Sequence, residues 1–110
     1  LASRLQSSRL FVLLVGAKTR YLYKFVRWEI EQAIRQDIPI VVVNLNGRRR
    51  LDEARCPPLL RNQLAVHVAF GQKIFVHAFR NWPEAHRRLK GQALAGSRYY
   101  SDEVYQSVGA

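Results

Sequence analysis

Two short runs of apolar residues stand out in the first half of the chain. Residues 10–15 are apolar at every position and stop at Gly16, and residues 40–43 form a second such run that ends at Asn44. Strands that are apolar at every position, rather than at alternate ones, are typical of parallel sheets covered by helices on both faces. The pattern therefore predicts two buried parallel strands.

The segment between these runs has the spacing of an amphipathic helix. Over residues 22–36 the charged side chains lie mainly on one side, and the sequence Asp37-Ile38-Pro39 ends the periodic pattern. The apolar stripe consists of Leu22, Phe25, Val26, Ile30, Ala33 and Ile34. Strand, helix and parallel strand together predict a right-handed crossover unit.

The remaining segments carry weaker patterns. Leu1 and Leu5 stand four residues apart, which predicts the end of a helix, and Trp82-Pro83 predicts a break between two helices. The predicted elements are the end of a helix over 1–7, a short helical segment over 59–64, a weaker strand over 65–70 at an edge of the sheet, a helix over 72–81 and a basic helix over 84–90.

This order of elements predicts a three-layer α/β fold, with a parallel sheet flanked by helices as in flavodoxin-like proteins. A chain of 110 residues with 48% hydrophobic residues can bury one core but hardly two. We expect one domain over residues 1–92 and a tail over 93–110 that is either mobile or docked against the domain.

Several classes of protein are disfavoured by what the sequence lacks. No apolar run approaches the roughly 20 residues that cross a bilayer, and residues 1–4 lack the layout of a signal peptide, so we expect a cytoplasmic protein without a membrane partner. Cys56 is the single cysteine, and no cysteines or histidines stand at zinc-ligand spacing, so neither a disulfide nor a bound metal is expected. Position 1 is not methionine, and we expect the natural product to begin upstream.

The net charge of +10 makes nucleic acid a partner to consider. The arginines are dispersed, however, and the single run Arg48-Arg49-Arg50 follows Asn46-Gly47, a turn signal. A solvated basic loop is the simpler interpretation. We therefore do not expect nucleic-acid binding to be the main role.

Glu29 is the most informative charged residue. At about 100° per residue it falls within the same arc as Phe25, Val26 and Ala33, so a carboxylate is placed in the apolar stripe. Such a carboxylate serves either a structural ion pair or a functional site. Ligands of parallel sheets bind beyond the carboxyl ends of the strands, and Glu29 follows the loop that leaves such an end.

That loop, residues 16–21, offers groups that suit a phosphate. Gly16 permits close approach of the backbone, Thr19 carries a hydroxyl, and Lys18 and Arg20 are cations. The spacing is neither that of a P-loop nor that of a dinucleotide fingerprint, so the loop alone is a weak signal.

Gly16-x-x-Thr19, followed by Phe25-Val26-Arg27-Trp28-Glu29-Ile30, resembles the TIR-domain pattern. In that pattern a strand ends at Gly-x-x-Thr or Ser, and a helix then carries an aromatic residue, three further residues and a glutamate. The sequence is similar to the bacterial TIR-like proteins of the Thoeris anti-phage defence system over residues 1–84. Further similarity lies in Val43-Asn44-Leu45-Asn46-Gly47, Cys56-Pro57-Pro58, Gln72-Lys73-Ile74 and Asn81-Trp82-Pro83.

The resemblance implies a TIR-like fold whose opening strand, first helix and second strand precede this chain. It implies that Glu29 is the catalytic residue of NAD cleavage, with NAD as substrate and no tightly bound cofactor. Phe25 stands where many TIR domains have tryptophan. By position, Gly16, Lys18, Thr19, Arg20 and Phe25 are the candidate nucleotide-binding residues. An ADP-ribose-type product would signal to a separate effector protein, and TIR enzymes commonly self-associate to complete their sites.

Two other classes remain open on the sequence. A non-catalytic TIR-like interaction module would use the same fold for assembly, with Glu29 in a structural role. A flavodoxin-like or receiver-like domain is allowed by the element order, although no predicted strand ends in the aspartate that a receiver phosphorylates. We expect structural roles for the other conspicuous side chains, with His67 and His77 packed or at the surface, Cys56 buried, and Asn44 and Asn46 forming turns. Trp28 either covers a neighbouring helix or forms an assembly surface, and the first is favoured.

Overall fold

The computed structural model describes residues 2–5, 10–16 and 24–109. Five strands form one sheet in the order β1-β2-β3-β4-β5. The elements are β1 (Ala2–Leu5), β2 (Leu10–Val15), α1 (Lys24–Arg35), β3 (Ile40–Asn44), a 3₁₀ turn (Pro58–Leu60), β4 (Ala65–Ala69), α2 (Gln72–Gly91), β5 (Ser97–Tyr99) and α3 (Asp102–Ser107). Strands β2 to β5 pair in parallel, and β1 pairs with β2 antiparallel. The predicted α/β fold, a parallel sheet flanked by helices, is confirmed.

The sheet has one apolar cluster on each face. One cluster joins Phe11, Leu13 and Val15 to Ile30 and Ala33 of α1. The other joins Leu10 and Val12 of the same strand to residues of α2 and α3, namely Ile74, Ala78, Trp82 and Tyr105. Because side chains alternate between the two faces of a strand, a strand buried on both faces must be apolar at every position. This explains the continuous apolar run of β2.

The N-terminal helix predicted over residues 1–7 is wrong, because β1 occupies Ala2–Leu5. Ala2 pairs with Leu13, and Leu5 pairs with Leu10. Two leucines four residues apart are weak evidence for a helix, because they span only about one turn. In the structure the backbone N–H and C=O groups of this segment pair with those of β2 instead. Non-local pairing therefore overrides the local pattern.

The break predicted at Trp82-Pro83 is also wrong, because α2 runs through Pro83 as a single helix. Proline costs a helix interior about 3 kcal/mol, partly through loss of the hydrogen bond from its backbone nitrogen. The buried residues of α2 are Ile74, Ala78, Trp82 and His86, which recur every four residues. Because the helix continues past Pro83, His86 is buried on the same face as Trp82. This burial offsets the free-energy cost of the proline.

Two further boundaries differ from the prediction. Strand β4 is interior, not at the edge, because β5 pairs beyond it. The segment predicted to be helical over 59–64 contains only the 3₁₀ turn Pro58–Leu60. The predicted start of the first helix at Leu22 lies outside the described residues, and its end at Arg35 agrees with the prediction.

Residues after position 93 pack against the sheet. They form β5 and α3, and Tyr105 of α3 is 1% exposed. Its hydroxyl accepts a hydrogen bond from the backbone N–H of Ala69 at 3.0 Å. Of the two states expected for this segment, the structure therefore has the docked one.

Two arginines of the run Arg48-Arg49-Arg50 contact other elements of the protein, which differs from the solvated basic loop that was predicted. Arg49 pairs with Asp102 at 3.1 Å and lies 4.1 Å from the centre of the Tyr105 ring. Arg50 lies 4.4 Å from the centre of the Tyr99 ring. Arg49 and Arg50 thus contact the C-terminal elements. No helix in the part of the chain that the structure describes has the length and apolar character to cross a membrane.

Candidate functional site

The carboxyl ends of the parallel strands meet at one edge of the sheet. In the strand register, Val15 pairs with Asn44 and Asn44 pairs with Ala69. The backbone N–H of Leu45 donates to the carbonyl of Val15 at 3.0 Å, and the N–H of Phe70 donates to the carbonyl of Asn44 at 3.0 Å. Gly16, which directly follows β2, therefore lies at the edge where parallel sheets bind ligands.

Asn44 organises the loop that leaves β3. The side chain is fully buried, and its amide nitrogen donates to the carbonyls of Arg48 and Arg50 at 3.0 Å and 2.8 Å. Asn46 continues this turn, because its side-chain oxygen accepts from the N–H of Arg48 at 3.2 Å and its amide donates to Asp52 at 2.9 Å. The expectation that Asn44 and Asn46 form turns is confirmed.

Asp52 anchors the far end of this loop as a buried carboxylate. Burial alone raises the pKa of Asp52, but hydrogen bonds from Asn46 and from the backbone N–H groups of Arg55 and Ala54, together with the charge of Arg48, lower that pKa below its usual value. The carboxylate therefore stays ionised, and the loop beside the candidate site is held in one conformation.

Glu29 lies at the border of the buried face of α1. The centre of that face is formed by Ile30 and Ala33, which are almost fully buried, whereas Glu29 is half-buried. The helical angle had placed it inside the apolar stripe, and the structure places it at the stripe's margin. Within the described residues, no hydrogen bond or ion pair engages its carboxylate. The residue is therefore partly accessible to solvent.

The neighbours of Glu29 on the outer side of α1 are exposed. Arg27 and Glu31 approach each other at 3.9 Å across one turn. Trp28 is 53% exposed, so it does not cover a neighbouring helix to the extent expected. Glu31 is thus a surface carboxylate on the same helix, with an ion-pair partner that Glu29 lacks among the described residues.

The structure places some of the predicted nucleotide-binding residues and not others. Gly16 is half-buried at the end of β2, and Phe25 lies in the first turn of α1, one helical turn before Glu29. Lys18, Thr19 and Arg20 lie outside the described residues. The predicted site is therefore described at its two ends, the strand terminus and the helix, and not across the intervening loop.

Sequence reasoning missed an apolar groove at the same edge of the sheet, on the face covered by α2. Its volume is about 430 Å³. It is lined by Val12, Leu14, Val43, Phe70, Gly71, Gln72 and Phe75. Phe70 is 67% exposed although it was assigned to the predicted strand. Its place at the last position of the predicted strand was the one available signal.

The other titratable groups are poorly suited to catalysis. His67 is fully buried, and burial lowers its pKa to about 4. Burial raises the pKa of the Cys56 thiol to about 11, which disfavours the reactive thiolate. His77 packs against Tyr100 with ring centres 4.9 Å apart. Across the described ranges, no group of three histidine, cysteine, aspartate or glutamate residues is placed to hold a metal ion.

Fold and site together define an α/β domain of the flavodoxin-like and TIR-like class, with a candidate site at the carboxyl edge of a parallel sheet. Residues 1–50 match the family model described as "Thoeris protein ThsB, TIR-like domain". The match spans β1, β2, α1 and β3, and so includes Gly16 and Glu29. It confirms the resemblance to the TIR-like Thoeris family over these residues and supports a defence-related TIR-like protein, while the further similarity expected up to residue 84 stays a prediction. The comparison with curated proteins gave no match.

Proposed function

We propose that the protein cleaves NAD and produces an ADP-ribose-type nucleotide signal in anti-phage defence, with Glu29 as the catalytic carboxylate. The observation that carries this proposal is the family match over the segment that contains Glu29. The half-buried position of Glu29 on the helix that follows the carboxyl end of β2 supports it.

A carboxylate suits this reaction without a metal. When the bond between nicotinamide and ribose breaks, the nicotinamide nitrogen keeps the electron pair and positive charge develops on the sugar. A carboxylate beside the ribose stabilises that charge, and its effect is greater where protein partly excludes water. Water then adds to the sugar carbon and loses a proton, or a hydroxyl of the substrate does so in a cyclase. The exposed side of Glu29 admits such a nucleophile.

Substrate positioning is assigned to the loop and the start of α1. Lys18 and Arg20 would neutralise the pyrophosphate, Thr19 would donate a hydrogen bond, and Gly16 would permit close approach of the ligand. Phe25 would stack on the nicotinamide or adenine ring. These roles rest on sequence position. Self-association and a separate effector that receives the nucleotide product are further parts of the proposal.

The test is NAD consumption measured by chromatography of products, with and without the cognate phage trigger. We expect Glu29→Gln to abolish turnover, because the amide keeps the shape and loses the charge that stabilises the sugar cation. Glu31→Gln is the matched control, since it removes the same charge from an exposed position of the same helix. It should leave turnover within about twofold of the parent protein, as expected for an exposed charge.

Equal loss of turnover in both variants would contradict the role of Glu29.

A non-catalytic interaction module is the second candidate, and exposed large apolar side chains favour it. Trp28 is 53% and Phe70 is 67% exposed, and such residues are enriched at protein interfaces. Folded parent protein that never consumes NAD, even with the trigger, would support this second candidate.

A further inference from the structure

A groove beside α2 carries positive charge on one side of the helix. Lys73, His77 and Arg80 follow one another at intervals of four and three residues, so they point in the same direction. The groove has a volume of about 520 Å³. It is lined by Gln72, Lys73, Val76, His77, Arg80, Asn81 and Val108.

The two cations of this stripe, Lys73 and Arg80, have no carboxylate partner among the described residues. In the described part of the chain, neither Lys73 nor Arg80 forms an ion pair, and the Lys73 ammonium donates only a long hydrogen bond of 3.5 Å to the carbonyl of Gly109. Glu84 is the next residue along the stripe, but it does not line the groove. A bound anion would supply the missing opposite charge.

The start of α2 adds to the positive potential. Its N-cap is Gly71, and no side chain caps the helix there. The first N–H groups of a helix carry partial positive charge, and a cation in the first turn is disfavoured for that reason. Lys73 stands in that turn, so its charge adds to the positive potential of the helix N-terminus.

The shape of the groove favours a small ligand over a long polyanion. Its volume falls within the roughly 300 to 1,000 Å³ typical of small-molecule sites, and Val76 and Val108 give it apolar walls. The His77 ring stands nearly perpendicular to that of Tyr100, at 86°, which fixes its orientation. The Asn81 amide donates to the carbonyl of His77 at 2.8 Å, which ties this side chain to the helix.

We propose that this groove binds a phosphorylated small molecule, with a pyrophosphate or phosphate group held by Lys73 and Arg80. It lies along α2, whose buried face packs on the opposite side of the sheet from α1. It is therefore separate from the Glu29 site, and the proposal does not depend on NAD cleavage.

Pyrophosphate is the probe, titrated by calorimetry into the whole protein at constant ionic strength set with sodium chloride. We expect saturable binding that Lys73→Gln with Arg80→Gln weakens by about 10-fold or more, because both charge-assisted contacts to the anion are lost. Arg87→Gln with Arg88→Gln is the control pair. It removes the same charge from exposed positions of α2 outside the groove, and it should change affinity less than about twofold.

Three outcomes would overturn the proposal. They are no saturable binding, equal weakening by the two pairs, and preferential binding of duplex DNA that both pairs weaken alike, which would mark a diffuse nucleic-acid surface. Circular dichroism of each variant without ligand checks folding, and the single variants Lys73→Gln and Arg80→Gln replace the pair if it does not fold. Each single variant should then weaken pyrophosphate binding more than Arg87→Gln does.

Discussion

His67 is one of the buried polar residues of the described chain. It lies in the middle of β4, and neither ring nitrogen has a hydrogen-bond partner in the described part of the protein. Burial lowers its pKa to about 4 from an ordinary value of 6.5. The neutral imidazole is therefore part of the folded core, and protonation opposes folding.

We predict that stability falls with acidification because of His67. Between pH 6.5 and about 4 the unfolded chain binds a proton at this position and the folded chain does not, so the free energy of unfolding decreases as the pH falls through that range. The full effect is about 3 kcal/mol. Urea unfolding at a series of pH values measures it.

The variant His67→Leu is the comparison for this prediction. It keeps an apolar side chain of similar size without a titrating group, so its stability should depend much less on pH over the same window. Asp52, whose pKa is lowered, titrates below that window. Identical pH profiles for the parent protein and His67→Leu would contradict the assignment.

Glu29 shows what the sequence can and cannot predict about a single residue. Helical angles correctly placed it next to Val26, Ile30 and Ala33, but they could not find the centre of the buried face. That centre depends on which strands lie beneath α1, and such contacts are non-local. The candidate residue was therefore identified from sequence, and its half-buried environment came from the structure.

Helix α3 docks on the body of the protein through Tyr105, its buried residue. Tyr105 packs in the core, and its hydroxyl accepts the hydrogen bond from the N–H of Ala69. We predict that Tyr105→Phe lowers the free energy of unfolding by about 1 to 2 kcal/mol, because that N–H is left without its partner. Urea or thermal unfolding measures the change.

Tyr99→Phe is the matched control for this prediction. Tyr99 is 51% exposed and lies beneath Arg50, so removal of its hydroxyl leaves no buried group unpaired. Its effect should be within about 0.5 kcal/mol of zero, as for most surface substitutions. Equal effects of the two substitutions would contradict the contribution of the hydrogen bond to Ala69.

The elements that sequence reasoning predicted well are those with strong local patterns. Strands β2 and β3 and helix α1 follow from continuous apolar runs and a clear helical stripe. Elements that depend on distant partners were missed. Strand β1 is defined by its antiparallel pairing with β2, and α2 continues through Pro83, which buries His86 in line with Trp82.

At the scale of the whole molecule, the two faces of the sheet carry different candidate sites. Glu29 lies on α1, and the basic groove runs along α2 on the other face. The net charge of +10 suggested a diffuse attraction to polyanions. In the structure, Lys73 and Arg80 instead line one groove, and Arg49 forms an ion pair with Asp102 of α3. Sequence spacing alone could not show this, because the partners are far apart in the chain.

In the proposed function, NAD binds at the carboxyl end of β2, against α1. The most direct test is NAD titration of the isotope-labelled Glu29→Gln variant, which is expected to bind without turnover, followed through the backbone amides by NMR. We predict saturable shifts at Gly16 and along the first turns of α1, from Lys24 to position 29. Shifts confined to the groove along α2, or no saturable shifts at all, would contradict the claim.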